Sequence, residues 1–185
     1  MKWYLLKTWP GKEEELVKEI WRTVPSHLYE ECFVIYQERI WRKQQKSIIH
    51  VEPMWTGCVF LTCEESRAAQ RADDIFCILA QSASVARLMS DGELSVLPMM
   101  KEDGDFLSRI SGKEHLVKLS YVLKNENGQI RGISGPLQGC SGKIERYQFK
   151  KRYAMVRHTL WGKEQAIVLG IILKEDRGRI LLYEK

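Results

Sequence analysis

Gly135-Pro136-Leu137-Gln138-Gly139-Cys140-Ser141-Gly142-Lys143-Ile144 sets three glycines around a proline at a turn entry. Glycine at that density permits positive φ and close backbone approach. The segment is therefore suited to reverse the chain between two strands and leave a tip free for a partner. On both sides of it the chain runs in short extended stretches: LVKLSYVL (116–123), QIRGI (129–133), GKIERY (142–147), YAMVRH (153–158) and AIVLGII (166–172). Turn signals such as Asn127-Gly128 and Gly135-Pro136 separate them. This pattern predicts a small β-barrel of about five strands.

Toward the N-terminus the pattern differs. Trp3-Tyr4-Leu5-Leu6 reads as a buried strand closed by Pro10-Gly11. From Lys12, Leu16, Val17, Ile20 and Trp21 recur at helical spacing, and Glu13, Glu14 and Glu15 fill the first turn, where they complement the helix dipole. Residues 32–41, 47–51 and 57–63 read as antiparallel strands, the first two joined by a polar, basic loop. Residues 66–83 carry Ile75, Ile78, Leu79 and Ala83 on one helical face. A further strand is expected over Val85–Met89, and a third helix over Leu97–Ile110 with Pro98 at its start. The β-α-β-β-α-β order predicts an antiparallel sheet packed with helices. The fold class expected is thus α+β: an N-terminal α/β sandwich over 1–110, a linker at 111–115 and a five-stranded β-barrel over 116–185.

Composition narrows the function. The 185 residues are 44% hydrophobic and 29% charged, which sets aside disordered, collagen-like and mucin-like classes. The longest apolar runs fall far short of the roughly 20 residues a membrane span needs. No signal-peptide pattern opens the chain, so a cytoplasmic, membrane-free protein is expected. Five cysteines at irregular spacing with no C-x-x-C pair argue for free thiols. The four histidines form no helical ligand pair, so neither a metal nor a cofactor is expected. G-x-S-x-G, Walker A and G-x-G-x-x-G sequences are all missing, and the spacing of Cys140 and His158 gives no support for a catalytic pair. The chain reads as non-enzymatic.

The net charge of +5 hides an asymmetry. Residues 1–112 carry 14 basic and 17 acidic side chains, net −3, whereas 113–185 carry 15 and 7, net +8. Lys143, Arg146, Lys150, Lys151, Arg152 and Arg157 gather around the single Glu145, interleaved with Tyr147, Phe149 and Tyr153. Cations of this kind attract phosphates, and aromatic planes stack unpaired bases. The same pattern also fits a solvated hairpin with inward aromatics. A second basic stretch, Arg39, Arg42, Lys43 and Lys46, reads either as a solvated loop or as a phosphate contact. Trp9, Trp55 and Cys58 read as core filling under the sheet, while Trp9, Trp55 and Met54 read equally as an apolar patch for a partner's paired helices.

Two motifs carry a family resemblance that covers nearly the whole chain. Glu52-Pro53-Met54-Trp55-Thr56-Gly57-Cys58-Val59-Phe60-Leu61 frames an aromatic between Pro and Gly before an apolar strand. With Trp3-Tyr4 at the start, it resembles the N-terminal domain of the NusG family of transcription elongation factors, whose motif at this place is F-P-G-Y-V-F. Residues 135–144, with Gly135, Pro136, Leu137, Gly139 and Gly142, resemble the KOW motif of that family's C-terminal barrel. Lys150-Lys151-Arg152-Tyr153-Ala154 and Val168-Leu169-Gly170 are most similar to the specialised paralogues called LoaP. Trp55 and Thr56 replace the family's Phe and Pro, and Cys58 replaces its Tyr.

The resemblance implies a monomeric, non-catalytic processivity and antitermination factor. Its N-terminal domain would hold the clamp helices of RNA polymerase's largest subunit through Trp9, Met54, Trp55 and Cys58. Its barrel would meet nascent RNA, such as a leader hairpin, or termination factor Rho or a ribosomal protein. A housekeeping elongation factor and a general RNA-binding module are the alternatives.

Overall fold

The computed structural model describes residues 1–43, 46–90, 93–176 and 180–182. Its elements in chain order are β1 (Lys2–Lys7), α1 (Glu13–Thr23), β2 (Glu31–Phe33), β3 (Tyr36–Lys43), β4 (Lys46–Pro53) and β5 (Cys58–Cys63). Then come α2 (Ala68–Ala80), α3 (Ala83–Ala86), β6 (Val96–Pro98), α4 (Lys101–Ser111), β7 (Leu116–Val117), β8 (Ser120–Lys124) and β9 (Ile130–Ser134). β10 (Ile144–Gln148), β11 (Tyr153–Leu160), β12 (Lys163–Leu173) and β13 (Ile180–Leu182) complete the chain. These form two compact units that interleave in sequence: residues 1–35 with 55–105, and 36–54 with 106–185.

In the first unit a four-stranded sheet runs β2-β5-β1-β6, all pairs antiparallel. Period-two alternation sends Tyr4 and Leu6 to one face and Trp3 and Leu5 to the other. α1 packs on β2 and β5 through Leu16, Val17 and Ile20, and α2 packs on α1. On the opposite face Trp3 meets Phe33 edge-on with centroids 5.4 Å apart, and Phe33 stacks on Phe60 at 6.1 Å. The start of α4 approaches Trp3 so closely that a Cβ on Gly104 would fall 2.7 Å from the indole. Only glycine fits there.

Two expectations are corrected in this unit. Val85–Met89 is no strand. Ser82 caps a short helix, its hydroxyl accepting from Val85 N, and Val85 is buried as a helical residue. Pro98 does not start a helix either. Val96–Pro98 is an edge strand, where the missing N–H of Pro98 costs no ladder bond, and α4 begins three residues later.

The second unit is mainly β. One sheet runs β10-β11-β12-β8-β9, with β12 and β8 parallel and the other pairs antiparallel. It is curled. β8 and β10 stand three places apart, about 14 Å in a flat sheet, yet the Lys124 ammonium lies 4.6 Å from the Phe149 ring centre, just beyond β10. A second sheet runs β13-β4-β3-β7 and contains the β3–β4 hairpin.

Residues 135–144 do not form a free hairpin tip. Pro136–Lys143 winds as consecutive 3-10 turns against β8, β9 and β11. Leu137 and Cys140, three apart and therefore on one side of a 3-10 coil, are both buried. That apolar spacing pulls the segment onto the sheet.

Candidate functional site

Two surfaces carry the residues singled out in the sequence. The first belongs to the N-terminal unit. Trp9 O accepts Lys12 N at 2.9 Å across Pro10-Gly11, and Gly11 has φ +84°. This is a type II turn, with Pro and Gly at the positions that favour them. Trp9 N is tied to Leu88 O at 3.0 Å, and the turn presents its indole 52% exposed. Trp55 is partly exposed, its ring 6.3 Å from Phe60. Its strand entry is fixed from below: Glu13, buried, accepts Gly57 N at 2.5 Å, and Gly57 O accepts Thr8 N at 3.0 Å.

Cys58 is buried instead of presented. Lys7 Nζ lies 3.2 Å from its sulfur, and burial raises the thiol above its ordinary pKa, outweighing the lysine. Cys58 supports this surface without forming part of it. Met54, partly exposed at the end of the β3–β4 hairpin, belongs to the other unit. Leu97 and Met100, both exposed on the first unit, were not singled out in the sequence.

The second surface belongs to the β-rich unit. Lys143, Arg146, Lys150 and Lys151 are exposed. Lys143 donates to His158 Nδ1 at 3.0 Å, and Arg146 Nε lies 2.9 Å from Met155 Sδ. Lys150 and Lys151 have no ion pair among the described residues. Arg157 is exposed, but its charge is offset by Glu145 and by Glu164 at 3.1 Å. Arg152 departs from the rest. Its side chain is 4% exposed and clamps Asp176 through Nε at 2.7 Å and a terminal nitrogen at 2.9 Å, with Glu175 at 3.2 Å. Its guanidinium is turned inward onto these carboxylates.

The aromatics interleaved with these cations are half-exposed. Tyr147 and Phe149 stack at 5.5 Å with planes 9° apart, and Lys124 covers Phe149. Arg39 of the hairpin lies over Tyr153, 5.7 Å from its centre. Beside it on β3 stands Trp41, 62% exposed and 3.8 Å from the His50 ring. Trp41 and Lys124 were missed in the sequence. Trp41 could have been found, because it alternates with Arg39 and Lys43 along one strand. The side chains of Arg42, Lys43 and Lys46 lie outside the described residues.

Of the glycine-rich motif, Gly135 takes φ +81°, and a Cβ there would fall 3.2 Å from Ser120 Cα. Leu137 N donates to Ser120 Oγ at 2.9 Å. Gly139 lies against the Arg109 side chain, while Gly142 faces open space. The Ser120 contacts anchor the motif to β8.

The structural division sharpens the charge asymmetry. Residues 1–35 and 55–105 carry 9 basic and 15 acidic side chains, net −6; the remainder carries 20 and 9, net +11. Moving the hairpin to the basic unit widens the gap. A mixed helix–sheet unit with an exposed tryptophan and a curled, basic β-sheet unit thus carry the two candidate surfaces.

The model of the family described as "Transcription termination factor nusG" matches residues 1–105. The chain belongs to the NusG family, whose members are non-enzymatic transcription factors that bind RNA polymerase. Among solved structures, one titled "Domain interaction in Thermotoga maritima NusG" is 20% identical, covers 91% of this chain and 93% of its own, and has a TM-score of 0.46. No curated protein matches the chain. Among the described residues no helix is long and apolar enough to cross a membrane.

Proposed function

We propose that this NusG-family protein is a specialised antitermination factor of the LoaP type, suppressing pausing and termination at particular operons after its basic unit takes up leader RNA. The carrying observation is the partition of charge, −6 against +11. An acidic surface is repelled by nucleic acid and is left for protein, whereas the basic unit attracts phosphates. Trp9 and Trp55 then serve as apolar anchors on the polymerase clamp helices. The cations Lys143, Arg146, Lys150 and Lys151, with the half-exposed Tyr147, serve RNA.

Single-round transcription with purified polymerase tests this. Adding the protein should raise readthrough of a terminator on a template carrying its cognate leader, and leave templates without the leader unchanged. Equal effects on every template would mark a general elongation factor instead. No effect on any template would exclude both.

A further inference from the structure

We propose that Arg39 and Trp41 of the β3–β4 hairpin and Lys150 and Lys151 of the β10–β11 turn form one continuous track for a single nucleic-acid strand, not two separate basic patches. This rests on the reading of the second unit as a nucleic-acid-binding body. In the sequence the two segments lie more than a hundred residues apart. The fold joins them at one crossing. Gly170 of β12 passes so close beneath β3 that a Cβ there would fall 2.5 Å from Glu38 O. Gly170 is the register partner of Tyr153 on β11. The crossing therefore sets Tyr153 under the next hairpin residue, and the Arg39 guanidinium lies 5.7 Å from its ring centre.

From that joint the track runs both ways. Two residues along β3, about 7 Å, stands Trp41, its indole 62% exposed and its ring tilted against His50 at 3.8 Å. Held by His50 and left open to solvent, it is a platform for a flat ring. In the other direction, Lys150 and Lys151 precede Tyr153 by three and two residues, on a 3-10 turn. The whole path is about 20 Å long, enough for a few nucleotides and comparable to the lower end of the roughly 4 to 16 that small β-barrels cover.

The chemistry selects an unpaired strand. An indole stacks on a base only when that base is free of a duplex, and lysines hold phosphates without reading sequence. RNA and single-stranded DNA share these groups.

Binding of fluorescein-labelled oligouridylate and oligothymidylate 12-mers to the full chain, by anisotropy over a salt series, tests the track. One 12-mer should bind per chain. Trp41→Ala should weaken that complex about tenfold, and Trp41→Phe should restore most of the loss. Lys150→Ala with Lys151→Ala should weaken the same complex and flatten the log–log salt slope by about 1.4. The two polymers compared directly show which acid is the ligand. Two 12-mers per chain, each abolished by only one of the variants, would overturn the single track, as would a lysine effect with no Trp41 effect. Binding of neither polymer would overturn the track and the nucleic-acid reading together.

Discussion

Arg152 and Asp176 form a buried two-point ion pair, Nε to Oδ2 at 2.7 Å and a terminal nitrogen to Oδ1 at 2.9 Å, with both side chains almost wholly enclosed. Both partners are bonded further. Arg152 also donates to Phe149 O, and Asp176 Oδ2 accepts Leu173 N at 2.8 Å. Arg152 itself takes the left-handed conformation at φ +57°. One side chain thus ties the turn after β10 to the end of β12.

Removing one partner of such a pair strands the other charge in the interior, at a cost of about 3–5 kcal/mol. Arg152→Ala and Asp176→Ala should each lower the urea midpoint sharply, whereas Lys150→Ala should not move it. If Arg152→Ala instead left stability unchanged and only weakened RNA binding, the residue would be a phosphate contact and the inward assignment would be wrong.

Glycine substitutions should divide the motifs by geometry. Gly57 has φ +71°, and a Cβ there would sit 2.6 Å from Thr8 O, a backbone atom that cannot yield cheaply. Gly57→Ala should cost about 3 kcal/mol or more. Gly135→Ala should also be costly, because φ is +81° and Ser120 is close. Gly142, though part of the same motif, meets nothing within 4 Å, so Gly142→Ala should stay within about 0.5 kcal/mol. Denaturant melts of the three variants distinguish them.

The pattern of elements that could be read from sequence follows from locality. β1, α1 and the apolar run of β5 are each specified by their own period, and residues 153–173 by alternation and turn signals. What escaped depends on partners far along the chain. Arg152 looks like its exposed neighbours Lys150 and Lys151 until Asp176 is brought beside it, 24 residues on. That β3 groups with C-terminal strands depends on its pairing with β7, Tyr36 opposite Leu116. Cys58 could be read as core or as contact because alternation gives a residue's face without showing what covers that face. Val85–Met89 reads as a strand in sequence yet opens within a short helix, because so short a run has no period of its own to tell the two apart.

The thiols make stability fall in alkali. Burial pushes Cys32 up to about 12 and Cys63 up to about 11 from an ordinary value near 9. Between pH 9 and 11 the unfolded chain releases these protons while the folded chain keeps them. The unfolded state then binds fewer protons, so stability is full below pH 9 and drops above it, by up to about 1.4 kcal/mol per pH unit for each thiol. Urea melts at pH 8 and pH 10 should show the decline, and Cys32→Ala with Cys63→Ala should flatten it. An unaltered decline in that variant would assign the effect to other groups.

Trp9 separates binding from folding. Its indole is half in solvent, and its backbone, fixed by the Pro10-Gly11 turn and by Leu88 O, keeps its bonds whatever the side chain. Trp9→Ala should therefore leave the urea midpoint within about 0.5 kcal/mol of the parent. If the indole is an anchor on the polymerase, the same change should weaken binding to purified polymerase by at least 2 kcal/mol, roughly thirtyfold. Pro10→Ala should do less, because Gly11 still supplies the positive φ that the turn requires. Pull-down titrations with the three proteins read this directly. Equal affinity of Trp9→Ala and parent would remove Trp9 from the interface and shift the anchor toward Trp55.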